Sequence, residues 1–385
     1  MLGRHFGMDW LRVGAFGLLI FYHIGLVFVH WGYHAKTAHP IEWIAVPLQA
    51  VNAWRLPLLF LVSGYASRAI FAGDKRPGRF IWSRTKRLIP PLLFGVIVIV
   101  PVQPWIELTT QHGYGRDFLR FWVDDYFRFG KISGIVLPTW AHLWFVGYLW
   151  IYTGALAFLL AVLPARARSA IERGLGWLLS GPMILVLPMA LLIGNWAWIF
   201  PGALETHGFF DDWAVNRVYF GMFLFGFLLR ESEPIWRAIR RWWRWAGVLA
   251  LCGYAVVASI EITYLGPPIP SRTTWFCFGI ARAVQSWGAI IALIGIADRY
   301  WNHDHPQRKM LTEAVFPFYL VHQSIIVFVA GALLQFGLPP LAEFGIILVA
   351  TITGCWVFYR AGREIGWMRP LIGLRIRAFR PRVTI

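Results

Sequence analysis

An arginine and a histidine on one apolar segment are the first residues of this 385-residue chain whose types and spacing suggest chemistry. The segment reads Asp9-Trp-Leu-Arg12-Val-Gly-Ala-Phe-Gly-Leu-Leu-Ile-Phe-Tyr-His23. At about 3.6 residues per turn, a helix would put Arg12 and His23 on one face, about 16 Å apart along its axis. A fixed cation near one end and a titratable imidazole deep inside mark the two ends of a polar path. Such an imidazole suits proton removal or nucleophilic attack. A plainer account also fits: an arginine snorkelling to the interface and a histidine tying helices together. Asp9, three residues before Arg12, would pair with it on the helix surface.

An arginine at mid-span costs about 2.5–3.5 kcal/mol on insertion scales, so each needs a function or an escape to the interface. Arg12, Arg55, Arg217 and Arg282 are of this kind, and His23, Glu261 and His322 also interrupt apolar runs. Arg55-Leu-Pro57-Leu-Leu-Phe-Leu-Val-Ser63-Gly64-Tyr65 predicts a proline-broken helix with small polar residues deep inside. Freed backbone groups are tolerated there only against protein or a cavity; close packing through Ser63 and Gly64 explains the same residues. In Arg84-Thr-Lys86-Arg87-Leu-Ile-Pro90-Pro91, the end of a basic loop, the arginines would clamp phosphates or simply mark a cytoplasmic loop. His142-Leu-Trp144-Phe-Val-Gly147-Tyr148 opens another span, and Trp144 and Tyr148 suit an interfacial aromatic belt. Tyr319-Leu320-Val321-His322-Gln323 puts a histidine one turn into an apolar span beside a glutamine, a pairing that serves as bundle glue more often than as a ligand set. His30 and His34 have i,i+4 spacing, but no carboxylate or third ligand is evident nearby and no metal is expected. Neither a phosphate-cradling loop nor a nucleic-acid module is visible.

Membrane-spanning helices must position these groups. Hydrophobic residues make up 58% of the chain and charged ones 14%, against about a quarter charged in soluble domains; mean hydropathy is +0.57. A soluble enzyme, a disordered scaffold and a disulfide-stapled secreted domain are excluded. Stretches long enough to cross about 30 Å of hydrocarbon are predicted at 10–31, 46–71, 88–108, 140–163, 175–200, 215–230, 245–265, 274–298, 313–337 and 342–360. The fold class expected is an all-α integral membrane protein of about ten transmembrane helices, a single polytopic domain over residues 1–385. The formal charge of +17 gathers in alternate segments, at 72–87, 164–174, 230–244 and the basic tail of about 361–385. The positive-inside bias places these, and both termini, in the cytoplasm, as an even number of spans requires. The tail would lie along anionic headgroups. The first stretch carries Asp9 and Arg12 with no cleavage site after it, and is expected to stay as a span. Cys252, Cys277 and Cys355, all within apolar stretches, read as packing residues. The longest exterior loop, about 109–139, is too short for an independent catalytic domain, so the chemistry must lie in the bundle or at its mouths.

Taken in order, Arg12-x10-His23, Leu59-Phe-Leu-Val-Ser63-Gly64-Tyr65, Arg84/Arg87 ahead of Pro90, His142-Leu-Trp144-Phe and Tyr319-Leu-Val-His322 resemble the membrane acyltransferase-3 family. The likeness covers the chain from about Asp9 to Tyr359. Arg55 ahead of Ser63-Gly64-Tyr65, with Ala141-His142-Leu143-Trp144-Phe145, is most similar to the glucans biosynthesis protein C branch, associated with succinylating periplasmic glucans.

The resemblance implies a multi-pass protein of the bacterial cytoplasmic (inner) membrane. It would move an acyl group, acetyl or succinyl, from cytoplasmic acyl-CoA to a hydroxyl of an extracytoplasmic carbohydrate. It makes His23 and Arg12 the catalytic-core pair and Arg84 and Arg87 the candidates for the CoA phosphates. Asp9, Arg55, Ser63, Tyr65, His142, Trp144 and His322 are carried as substrate-binding residues. His23 would act either as general base on the acceptor hydroxyl or as a nucleophile through an acyl-imidazole. Arg12, about 16 Å from it on a straight helix, is better placed to bind the donor than to hold the oxyanion. Two other classes fit parts of the pattern. One is a transporter or flippase for an anionic or lipid-linked solute, which also uses arginine-lined paths and broken helices. The other is a non-catalytic envelope partner, which leaves the intramembrane His and Arg without a purpose.

Overall fold

The computed structural model describes residues 5–199, 205–265 and 270–375. Its helices are α1 (Phe6–Phe28), α2 (Ala45–Asn52), α3 (Arg55–Asp74), α4 (Pro77–Phe94), α5 (Val102–Gln111), the single turn α6 (Phe118–Arg120), α7 (Trp144–Val162), α8 (Ala165–Leu178), α9 (Met183–Gly194), α10 (Trp213–Leu229), α11 (Glu233–Thr263), α12 (Arg272–Tyr300), α13 (Arg308–Leu333), α14 (Pro340–Glu364) and the short α15 (Met368–Leu371). A small antiparallel hairpin, β1 (Gly130–Ile132) and β2 (Ile135–Leu137), pairs Lys131 with Val136.

Among the described residues, eight helical segments are long and apolar enough to cross a membrane: α1, Glu42–Asp74, Pro77–Gln111, Ala141–Val162, α11, α12, Arg308–Phe336 and α14. The predicted stretch at 175–200 belongs to a pair, Ala165–Leu178 and Met183–Ile199, bent by 100°. The one at 215–230 is the shorter α10. The chain is a helical membrane protein, as its composition requires. Arg377, Arg380 and Arg382 of the basic tail lie outside the described residues.

Two local expectations are corrected. The basic segment 72–87 is mostly helix, not loop. α3 runs to Asp74, Lys75 closes it at φ 55 with its N–H on the Phe71 carbonyl at 2.7 Å, and α4 begins at Pro77. Proline suits a first helical position, where its missing N–H costs nothing. The break in the second predicted stretch falls at Ala53–Trp54, before Pro57. Pro57 sits in the first turn of α3, where no N–H is required of it, and the Leu58 N–H reaches the Trp54 carbonyl at 2.9 Å.

Contacts divide the chain into two compact units. The first comprises Met1–Trp31, Pro40–Ile81 and Ile151–Thr312. Within it α3 and α10 approach backbone to backbone: a Cβ on Gly64 would lie 1.8 Å from the Phe223 carbonyl oxygen, and one on Gly226 1.9 Å from that of Leu61. In lipid, where apolar side chains gain little by leaving the solvent, such close contact is a main source of helix association. α11 and α12 form a second pair, and the Trp287 indole ties α12 to α9 by donating to the Ile184 carbonyl at 2.7 Å. Cys252 and Cys277 are exposed on this unit, so the packing role expected of the cysteines holds only for the buried Cys355.

The second unit comprises Gly32–His39, Trp82–Trp150 and Glu313–Ile385. Its 109–139 segment is folded around Phe121, Tyr126 and Leu137 against Leu108 of α5. The buried Asp125 carboxylate anchors that segment, accepting from the Tyr114 hydroxyl at 2.5 Å and pairing with Arg116 at 3.2 Å and Arg128 at 3.0 Å. Desolvation, helped by the Asp125 carboxylate, pushes the Tyr114 hydroxyl up to about 12.

Candidate active site

In the first unit the sequence-singled groups are spread over three levels. At the far end of α1 from the amino terminus, His23 is half-buried beside Tyr22, their ring centroids 5.9 Å apart. Arg55, the first residue of α3, lies over the Tyr22 ring with its central carbon 3.4 Å from the centroid. Arg55 is 4% exposed, and its Nε and Nη1 are buried without a hydrogen-bond partner. The Tyr22 hydroxyl donates to Asn52 Oδ1 at 3.1 Å. A desolvated cation–π contact contributes about 2 kcal/mol, less than the several kcal/mol that burying the charge costs. On α10, Tyr219 donates to Glu205 Oε1 at 2.9 Å. Burial opposes the charge on Glu205, yet hydrogen bonds from His207 and Tyr219 hold its carboxyl below the usual range.

Two other intramembrane charges are joined through one glutamine. Arg282 donates to Gln49 Oε1 at 3.2 Å, and Gln49 Nε2 donates to Glu261 at 3.0 Å. Arg217 is exposed on α10.

Farther along α3, Ser63 is half-buried, and its carbonyl accepts from the Ser67 hydroxyl at 2.8 Å. Tyr65 is buried beneath Arg230, whose guanidinium carbon is 4.9 Å from the ring centroid. Eight and ten residues of helix put these about 12 and 15 Å from Arg55 along α3. At the amino-terminal end of α1, Arg12 donates to the Thr312 carbonyl at 3.4 Å. Asp9 forms an ion pair with Arg308, at 2.7 Å. Arg308 is 1% exposed and also bonds Asp304 at 2.7 Å. Its position 299 residues beyond Asp9 left no local signal.

In the second unit, His142 and His322 meet with ring centroids 5.3 Å apart. Gln103 Nε2 is 3.2 Å from His142 Nδ1, and His142 Nε2 is 3.2 Å from the Leu320 carbonyl. A neutral imidazole with its proton on Nε2 satisfies both contacts. Gln103 also donates to Ser324 Oγ at 2.8 Å and accepts from Gln323 at 2.9 Å, and Ser324 donates to the Ile99 carbonyl at 2.8 Å. His322 Nδ1 lies 2.7 Å from the Tyr319 carbonyl, and the Tyr319 hydroxyl donates to that of His142. This network ties α5, the start of the Ala141–Val162 span and α13 together. Gln103 is its hub and fully buried. The sequence reading missed it, although a glutamine between Pro101 and Pro104 interrupts an apolar run.

Trp144 and Tyr148 are buried and meet edge to face at 4.9 Å, so neither stands in an interfacial belt. A 3₁₀ turn, Ala141–Leu143, leads into α7, and Trp140 packs on Gly147 near its start. On α4, Arg84 is buried and Arg87 exposed, one turn apart, and the Trp150 indole holds Thr85 between them at 2.9 Å. α1 ends at Phe28, so His30 and His34 share no helical turn. Each has a carboxylate the sequence did not suggest: Glu42 for His30, and Glu107 for His34 at 2.6 Å. Among the described residues no three His, Cys, Asp or Glu side chains gather closely enough to hold a metal ion.

Comparison with known proteins adds a family. The model of the acyltransferase domain of the acyltransferase-3 type matches residues 5–360. Glucans biosynthesis protein C from Escherichia coli O6:K15:H31 is 25% identical over 144 residues, 37% of this chain and 35% of that protein. The protein of the same name from Salmonella typhi is 26% identical over 153 residues, 39% of this chain and 37% of its own length. That from Salmonella gallinarum is 24% identical over 173 residues, 44% and 42%. The chain thus spans well under half the length of the curated relatives it matches. No solved structure matches it. With an acyltransferase domain extending over nearly all of a helical membrane protein, the chain belongs to the acyltransferase-3 family.

Proposed function

We propose that this protein transfers an acyl group, acetyl or succinyl, from cytoplasmic acyl-CoA to a hydroxyl of an extracytoplasmic glycan, candidate acceptors including a periplasmic glucan, in keeping with the glucans in its relatives' name. The reading includes ten crossings of the bacterial inner membrane with both termini in the cytoplasm. One observation carries it: within a chain whose acyltransferase domain spans residues 5–360, His23 lies half-buried inside a membrane helix beside the Tyr22–Arg55 pair.

In this scheme neutral His23 takes the proton of the acceptor hydroxyl as its oxygen attacks the thioester carbonyl. The C–S bond then breaks, CoA leaves as thiolate, and the imidazolium returns the proton to sulfur; ester and thiol are the products. Positioned general-base catalysis of this kind contributes about 10²–10⁴-fold. Arg87, exposed on α4, and Arg84 beside it bind the CoA phosphates, and Arg12 orients the donor near the amino-terminal end of α1. Arg55 receives an anionic or strongly polar group of the substrate, since its buried Nε and Nη1 lack partners. Ser63 and Tyr65 bind substrate in the first unit, with Asp9 fixed by Arg308, and His142, Trp144 and His322 are the candidates for substrate binding in the second.

Mass spectrometry of the host's extracytoplasmic glycans tests the reading in wild type, a deletion strain and His23→Ala at matched membrane abundance. An acyl mass lost equally from deletion and variant is the expected result, and the mass names the group. If His23→Ala keeps the acyl mass that the deletion loses, transport of an acylated precursor replaces catalysis as the explanation.

A further inference from the structure

The cytoplasm-facing ends of α11 and α12, by the charge pattern, enclose a cleft of about 400 Å³ in the first unit. Arg240, Arg241 and Arg244 line it from α11, and Asp298 and Arg299 from α12. Its shape depends on Gly295, where a Cβ would stand 2.2 Å from that of Trp243.

The one acidic group in this wall is already engaged. Asp298 bonds Arg240 at 2.9 Å and His5 at 2.9 Å, and Arg240 reaches Glu233 at 3.1 Å. Among the described residues, no carboxylate is within ion-pair distance of Arg241, Arg244 or Arg299. Three like charges around one small space repel one another. Aromatic faces hold two of them in place, Arg241 at 6.0 Å from the Trp242 centroid and Arg244 at 5.2 Å from that of Trp243. An anion with several oxygens would engage these planar forks bidentately, which a phosphate does better than a single carboxylate.

We propose that this cleft binds a phosphate ester, carried either by an anionic phospholipid headgroup or by the acyl-CoA donor. Its residues do not include Arg84 or Arg87, and it stands whether or not the chain transfers acyl groups. Beyond the cleft, α11 exposes Trp245, Val248 and Leu251. These give the acyl chains of a lipid an apolar surface directly next to the headgroup position.

The full-length chain answers this in two arms, in wild type, in Arg241→Gln/Arg244→Gln/Arg299→Gln, and in the same triple change to lysine. Native mass spectrometry counts retained phosphatidylglycerol against phosphatidylcholine, and calorimetry in detergent measures CoA affinity. A headgroup site loses at least tenfold of its phosphatidylglycerol in the glutamine variant and about threefold in the lysine variant, with CoA affinity unchanged. The same losses in CoA affinity, with lipid retention unchanged, assign the cleft to the donor's phosphates. Lysine keeps the charge that orients the helices, so that arm is readable even where the glutamine variant does not fold. Wild-type retention of both ligands in the folded variants overturns the proposal.

Discussion

The Arg55 guanidinium lies on the face of Tyr22, 3.4 Å from the ring centroid, and Tyr22 is the neighbour of His23 in α1. A π face is the contact the structure gives this buried cation; two of its nitrogens have no hydrogen-bond partner. An intramembrane charge kept at such a cost points to function by default.

Arg55→Met follows from that geometry. Replacing a buried charge that its contacts only partly offset with an apolar chain of similar length should leave stability unchanged or raise it, by up to about 4 kcal/mol. Acyl transfer should fall at least tenfold. Thermal unfolding in detergent and glycan mass spectrometry read the two effects. A lowered midpoint with full activity would make Arg55 a structural residue.

His23→Ala and His23→Gln should both lower turnover by about 10²–10⁴-fold, while CoA affinity stays within about twofold. Release of free CoA thiol from purified protein measures the first, and calorimetry the second. Turnover retained by either variant would remove His23 from the chemistry.

Arg87→Gln should raise the KM for acyl-CoA about 10- to 150-fold with kcat little changed, as expected when one charge-assisted hydrogen bond of about 1.5–3 kcal/mol is lost. Arg84→Gln, at a buried position, should lower membrane abundance as well. Initial rates over a range of donor concentration separate these effects.

Gln103→Leu should strand buried partners on His142, Gln323 and Ser324. Each unsatisfied group costs about 1–3 kcal/mol, so the unfolding midpoint should drop clearly. If the network only ties helices together, kcat per folded molecule stays at the wild-type value. A changed kcat would put His142 in the reacting site.

Gly64→Ala adds a methyl group where the Phe223 carbonyl already occupies the space. Overpacking of this kind costs about 1–3 kcal/mol or more, and here it forces α3 and α10 apart. The expected outcome is loss of abundance and a lower midpoint, whereas Ser63→Ala, at a half-buried neighbour, should be tolerated.

Hydropathy summed over twenty residues made the helical membrane class legible, because crossing hydrocarbon is a demand each segment meets alone. The ordered motifs from Arg12 to His322 made the family legible, and the match over residues 5–360 agrees. Local composition misled at 72–87, where a run of charges reads as loop although Pro77 starts a helix, and at Trp144, where an aromatic near a span end reads as a belt residue although it is buried. Which polar groups meet was not legible at all. Asp9 finds Arg308, Gln103 finds His142, and Arg55 finds Tyr22 across gaps in the chain that no periodicity records. Those meetings depend on how helices pack, set by contacts such as Gly64 on Phe223, and only the tertiary structure brings such backbones within reach of one another.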